Sequence, residues 1–226
     1  MRTQAVIFDL FETLITEWGH KKYTKSEMCA DLGINRDAFD QAWENQEEAR
    51  YLGEVSFLES LSYVCEQCGV KADTMLLSRM LDQRIKTKSE CFNHVLPDVL
   101  QLLSALKSMG LRLAIVSNCS DEEVVGIEQS KIHPFFDSII LSYEVKLQKP
   151  NVHIYQEAAR SLGVALEHCV FVGDGGSHEL EGAQRAGMTA IQAKWYTNQH
   201  PWKRDSIPGF LVAEEPLEVL PYIQQS

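Results

Sequence analysis

No apolar run in this 226-residue chain is long enough to cross a bilayer or to serve as a signal peptide. Met1-Arg2-Thr3-Gln4 is followed by only a short hydrophobic stretch before Asp9. Cytoplasmic residence is the expectation. Positive charge is scarce as well, with 21 Lys and Arg against 32 Asp and Glu and a formal net charge of -11. A field of that sign repels polyanions, which argues against nucleic acid and anionic membranes as partners. A small anionic substrate stays compatible, provided a metal or a few cations reverse the sign locally. Zinc-site spacing is also missing. Cys65 and Cys68 form a lone CxxC without a second Cys/His pair, so they and Cys29, Cys91, Cys119 and Cys169 are expected to be reduced, packed thiols. Hydrophobic residues are plentiful at 45%, with 23% charged. That composition excludes disorder and suits one large domain or two unequal ones.

From Leu96 onward, strand and helix patterns alternate. The segment after Pro97 has helical apolar spacing with a stop at Gly110, and Leu111 to Val116 then reads as a buried strand. Ser138 to Leu141, Cys169 to Val172 and Thr189 to Ala193 are further strands. Pro150 to Leu162 and Ser177 to Ala186 are helices, stopped by Gly163 and Gly187. Such alternation predicts an α/β fold with a Rossmann-like parallel sheet covered on both faces. Between Trp18 and His94 no strand pattern of similar strength occurs. Lys25 to Leu32, Arg36 to Leu52, Ser56 to Cys68 and Ala72 to Lys88 all carry helical spacing, separated by Gly33, Gly53 and Gly69. An all-α module is therefore expected as an insert after the first strand, spanning residues 16–94, with 1–15 and 95–226 forming the core. Trp195 to Arg204 mixes aromatic and basic residues and suits either a loop packed on the core or a dimer contact, so monomer and homodimer both stay open.

Four polar stations fall at predicted strand ends, where open parallel sheets bind ligands. Asp9 ends the first strand in Asp-Leu-Phe-Glu-Thr, and Ser117 ends Leu111 to Val116. Lys149 precedes Pro150, and Asp174 ends Cys169 to Val172 in Gly-Asp-Gly-Gly-Ser-His-Glu. Their order and placement resemble the four motifs of the haloacid dehalogenase superfamily over essentially the whole chain. The helical insert stands where that family carries a C1-type cap. The nucleophile motif of the family usually reads Asp-x-Asp-x-Thr; Asp9 and Thr13 match, but Phe11 replaces the second aspartate.

The resemblance implies a hydrolase that transfers a phosphoryl group through a covalent intermediate on Asp9, which splits one hard displacement into two easier ones. It implies Mg²⁺, a hard cation that takes oxygen ligands, held by Asp9, Asp174 and Glu179 and by the main-chain carbonyl of Phe11. The Ser117 hydroxyl and the amide of Asn118 would donate to phosphate oxygens near a helix N-terminus begun by Ser120-Asp121. Lys149 would neutralise the carboxylates and the incoming phosphate. The residues alone leave plainer readings open: Asp9 as a turn residue, Glu179 as a first-turn helix carboxylate, Lys149 as a surface lysine.

Phe11 cannot shuttle a proton, and loss of a general acid/base typically lowers rate by roughly 10² to 10⁴. Several readings follow. A phosphatase would use a small phosphorylated substrate with a good leaving group, or borrow an acid from Glu12, His20 or the cap, although Glu12 sits one position too late. A 2-haloacid dehalogenase would send Asp9 to carbon with Arg50 as the substrate-anion clamp; such enzymes carry an aromatic residue at the position of Phe11 but generally lack the acidic pair matched here by Asp174 and Glu179. A phosphonoacetaldehyde hydrolase-like enzyme would need a cap lysine, for which Lys21, Lys22 and Lys25 are available. A weakly active ligand-binding or interaction module is the last.

Overall fold

The computed structural model describes residues 2–71, 73–200 and 204–225. Six strands form one parallel sheet: β1 (Ala5–Phe8), β2 (Arg112–Ser117), β3 (Ser138–Leu141), β4 (Cys169–Gly173), β5 (Thr189–Ala193) and β6 (Leu211–Ala213), in the order β3-β2-β1-β4-β5-β6. β3 and β5 match the segments expected from the sequence, and β1, β2 and β4 lie close to theirs; β6 is an addition, too short and too exposed at Leu211 to show a period.

Alternate residues of the inner strands feed opposite faces, as a pleated strand requires. Val6, Phe8, Leu113, Ile115, Val170 and Val172 face a cluster completed by α6 (Pro97–Ser108) and α10 (Val219–Gln225). Ala5, Ile7, Ala114, Val116 and Phe171 face the other cluster, completed by α8 (Val152–Leu162) and α9 (Glu179–Arg185).

Between β1 and α6 lie α1 (Lys25–Leu32), α2 (Arg36–Glu44), α3 (Glu47–Tyr51), α4 (Phe57–Gln67) and α5 (Thr74–Glu90). They bury an apolar cluster of their own around Phe39, Trp43, Phe57 and Leu61. The expected start of the last helix at Ala72 lies outside the described residues; Asp73 caps it by accepting from the main-chain N–H of Met75. The single helix expected over Arg36 to Leu52 is broken after Glu44 by Asn45 and Gln46. All six cysteines are free thiols, and all but Cys68 are buried.

Two contacts are prominent among those that join this helical insert to the rest of the chain. Gly53 (φ 62) presses against α7 (Ser142–Val145) so closely that a Cβ would lie 2.2 Å from the Tyr143 carbonyl oxygen, which only glycine avoids. The second contact is ionic. Lys88 near the end of α5 pairs with Glu17, and with Glu123 at 2.7 Å; Arg84 pairs with Glu123 at 2.7 Å and approaches Glu122 at 3.6 Å. This pairing explains why no regular helix follows Ser120-Asp121, contrary to expectation. Residues Asp121–Glu123 make only one 3-10 turn, which brings Glu122 and Glu123 inward to the cations of α5.

Burial by itself favours neutral Glu123, but Lys88 and Arg84 outweigh it and hold its carboxyl down at about 2. Glu122 moves the opposite way, raised by burial and by Glu123. Because Glu123 is depressed from an ordinary 4.5, its contribution is complete above that pH and is lost as pH falls toward 2. Lys88→Met should therefore destabilise the chain by roughly 3–5 kcal/mol at pH 7, the usual cost of orphaning a buried charge. Adding Glu123→Gln should recover part of that loss; urea midpoints that are additive for the two changes would refute the coupling.

Candidate active site

Chain order reverses between β1 and β4, the position in open α/β sheets where a crevice opens beyond the carboxyl ends of the strands. Asp9 follows β1 and Asp174 follows β4, side by side, while Ser117 ends β2 on the other flank of β1. Buried among them is Lys149, whose ammonium lies 2.5 Å from Asp9 Oδ1 and 2.5 Å from Glu179 Oε2. Asp9, Asp174 and Glu179 each offer a carboxylate oxygen within 4.8 Å of the others. The structure thus gathers Asp9, Lys149, Asp174 and Glu179 from segments up to 170 residues apart in sequence.

Local structure positions each group. Thr13 Oγ1 donates to Asp9 Oδ2 at 3.1 Å, and the Asp9 N–H donates to the Val172 carbonyl at 2.9 Å. The Asn118 side chain grips the main chain of Lys149 from both sides: Oδ1 accepts from the Lys149 N–H at 2.7 Å, and Nδ2 donates to the Lys149 carbonyl at 2.9 Å. Its carboxamide is therefore a positioning group for Lys149. Among the described residues, Ser117 Oγ is buried without a hydrogen-bond partner, as a hydroxyl reserved for a ligand would be.

The loop after β4 is tighter than expected. Ser177 (φ 52) and His178 (φ 51) are left-handed, so the regular helix expected from Ser177 begins only at Glu179. This strained turn aims the Glu179 carboxylate back under the sheet, where Oε1 accepts from the Gly175 N–H at 3.0 Å. Gly173 leaves room for it: a Cβ there would fall 2.2 Å from Glu179 Oε1. Asp174 Oδ1 accepts from the Gly176 N–H at 2.8 Å.

Burial first, and then the charge of Asp9, push the carboxyl of Asp174 up to about 6. The same two causes raise that of Glu179. Lys149 shifts the other way: burial would weaken its charge, but Asp9 and Glu179 overcome that and raise it. Three buried carboxylates share one buried ammonium, with Arg204 at 3.3 Å from Asp174 on the rim. The chemistry of this donor set, all hard oxygens with excess negative charge, fits a divalent cation such as Mg²⁺.

The remaining expected side chains make other contacts. Phe11 is half-buried, with the Lys88 ammonium 4.9 Å from its ring centre. Arg50 is buried in the helical insert, its guanidinium 3.8 Å from the Trp43 ring centre and donating to the Trp43 carbonyl at 3.2 Å. His20 stacks on His94, and Lys25 pairs with Asp40 and Glu44. The tail resolves toward core packing: Trp195 and Tyr196 are buried and donate to the carbonyls of Thr13 at 2.8 Å and Leu14 at 3.3 Å, bracing the loop behind Asp9. Residues 201–203 of that stretch lie outside the described residues.

Sequence reading missed Gln192, Arg204 and His200. Buried Gln192 ties the Asp174 carbonyl to the Asp205 carbonyl and accepts from the Ile207 N–H. A polar residue at a buried strand position was the available signal for it. Arg204 and His200 carry no local signal, because a loop has no period.

The sequence pattern of the haloacid dehalogenase-like hydrolase family matches residues 3–187, and the chain belongs to that family of hydrolases. Among its relatives is glyceraldehyde 3-phosphate phosphatase of Methanopyrus kandleri, 35% identical over 132 residues, or 57% of this chain and 56% of that protein. The chain thus spans about half the length of that curated relative. The (S)-2-haloacid dehalogenase of Pseudomonas putida is 26% identical over 185 residues, 75% of each chain. The crystal structure of a 2-haloacid dehalogenase from Pseudomonas syringae pv. tomato superposes with a TM-score of 0.69 at 19% identity, covering 99% of both chains, and shares the fold.

The electrostatics predict opposite signs for two substitutions. Asp174→Asn removes one of three repelling carboxylates and should raise the urea midpoint at pH 8 in chelator. Gly173→Ala overpacks Glu179 and should lower the midpoint, with a loss of about 1–3 kcal/mol in stability. A fall in the Asp174→Asn midpoint would show that the cluster is not under repulsion.

Proposed function

We propose that the chain is a Mg²⁺-dependent phosphatase of a small phosphorylated metabolite, acting through an aspartyl-phosphate on Asp9. The core would be residues 1–15 and 95–226, and the cap 16–94. The observation that carries the proposal is the buried carboxylate trio with its single ammonium. Attack of a carboxylate on an anionic phosphate needs a cation beside the nucleophile, and this set leaves room in its charge balance for one. The triose-phosphate phosphatase among the relatives supports a phosphate monoester as substrate. A cytoplasmic monomer or homodimer is consistent with this role.

Asp9 Oδ1 is held by Lys149 and Oδ2 by Thr13, which fixes the carboxylate for attack. One of its oxygens bonds to phosphorus as the bond to the leaving oxygen breaks, and water then releases phosphate from Asp9. Ser117, the amide of Asn118 and Lys149 would hold the phosphoryl oxygens. Asp9, the Phe11 carbonyl, Asp174 and Glu179 would hold the metal, whose chemistry there is to neutralise charge on the transferring group. Arg50 is already engaged by Trp43, so the proposal assigns phosphate to Lys149 and Ser117. The cap would exclude water and read the leaving group.

A second reading, attack of Asp9 on the carbon of a 2-haloacid, draws on the aromatic Phe11 and on the dehalogenase among the relatives. Halide departs without a proton, so Phe11 would cost that reaction nothing; the acidic trio is what disfavours it.

The test is a panel of phosphate esters, acyl phosphates and 2-haloacids, assayed with Mg²⁺ and with chelator. Phosphate release that stops in chelator, with Asp9→Asn inactive, is expected; chelator-resistant halide release would overturn the phosphatase. Mg²⁺ at about 100 times its Kd should add about 2.7 kcal/mol to wild-type stability. Asp174→Asn should lose most of that increment in the same thermal-shift assay. Phe11→Asp should raise turnover on esters with poor leaving groups.

A further inference from the structure

Next to the carboxylate trio opens a cavity of about 420 Å³ lined by Glu12, Trp18, Lys22, Asp174, His200 and Arg204. Asp174 joins it to the proposed reaction centre. On the side of the nucleophile loop stands Glu12, which is left-handed at φ 59, a conformation unfavourable for any residue with a Cβ. Its side chain is nonetheless held firmly. Oε2 accepts from Thr16 Oγ1 at 2.6 Å, and Oε1 accepts from the Glu17 N–H at 3.1 Å. His200 Nε2 lies 2.9 Å from Oε2, at ion-pair distance, with the imidazole side chain only 9% exposed. The ring lies against Trp18, centroids 4.5 Å apart. A carboxylate in a strained backbone position thus stands at ion-pair distance from a shielded imidazole in the cavity wall, while Phe11 carries no proton.

We propose that His200, oriented by Glu12, is the proton-transfer group that replaces the acid missing at Phe11; this rests on the phosphatase reading above. Glu12 Oε2 faces Nε2 and its oxygens already serve other donors, so Glu12 is the positioning residue. The exchangeable proton is then carried at Nδ1. In the first step Asp9 bonds to phosphorus, the bond to the leaving oxygen breaks with its electron pair, and that oxygen takes the Nδ1 proton. In the second step water oxygen bonds to phosphorus and the bond to Asp9 breaks. The water proton returns to Nδ1, so the cycle closes without an outside acid. The pairing also explains how Glu12 can take part although its place in the sequence is one residue past the usual acid: it acts through a ring supplied by the loop after β5.

The readout is leaving-group dependence, which a purely structural role would not change. Wild type, His200→Gln and Glu12→Gln are compared on phenyl phosphate, whose leaving oxygen needs a proton, and on 4-nitrophenyl phosphate, whose leaving group departs as an anion. His200→Gln is expected to lose roughly 10²-fold or more in kcat on phenyl phosphate, and far less on 4-nitrophenyl phosphate. Glu12→Gln should show the same bias with a smaller loss. In His200→Ala, added imidazole should restore turnover of phenyl phosphate selectively, a test that does not depend on how well the glutamine variant packs. Equal losses on both esters without imidazole rescue, or no loss on either, would overturn the role of His200 while leaving the phosphatase intact. A wild-type chain inactive on both esters would overturn the phosphatase reading itself, and this role with it.

Discussion

The Lys149 ammonium, buried between Asp9 and Glu179, is the interaction on which the rest of the site depends. Bringing three carboxylates from two segments into one desolvated crevice is unfavourable without a counter-charge, because each buried anion loses its hydration and repels the others. One lysine touching two of them makes the cluster tolerable but does not neutralise it. The site is consequently built around a deficit of positive charge that a cation and an anionic substrate can complete together.

Much of the surrounding structure can be understood as keeping that lysine and those carboxylates in register. Asn118 clamps the main chain of Lys149 from the neighbouring strand end, so two motifs far apart in sequence are one mechanical unit. Gly173 makes room for Glu179, and the left-handed pair Ser177 and His178 turns it inward. Trp195 and Tyr196 hold the carbonyls behind Asp9. Among the described residues, three of the four left-handed non-glycine positions, Glu12, Ser177 and His178, lie in the two loops that carry carboxylates, where packing and hydrogen bonds outweigh local preference.

The helical insert uses a parallel device at larger scale. Lys88 and Arg84 of α5 meet Glu17 and Glu123 between the insert and the sheet, and Lys88 also lies over Phe11. Phe11 is therefore covered by a lysine of the insert and packed against the core. Phenylalanine transfers no proton, and Glu12 with His200 stands in the adjacent cavity wall.

Periodicity made the parallel sheet legible, since β1 to β5 are short, nearly continuous apolar runs and α8 ends at a glycine that can adopt φ 65. Asp9, Ser117, Lys149 and Asp174 were legible for the same reason: each closes a strand or opens the helix after one, and strand ends converge. What could not be read were contacts without a period. The break after Glu44, the 3-10 turn that replaces a helix after Ser120, the buried hold of Arg50 on Trp43, and the arrival of Gln192, His200 and Arg204 all depend on side chains that meet only once the sheet has closed. Local sequence by itself determined the strands, the helices and the residues at their ends, because backbone preference and burial act over a few neighbours. Tertiary structure alone decided which charges share a crevice, because electrostatic balance is set by distance in space.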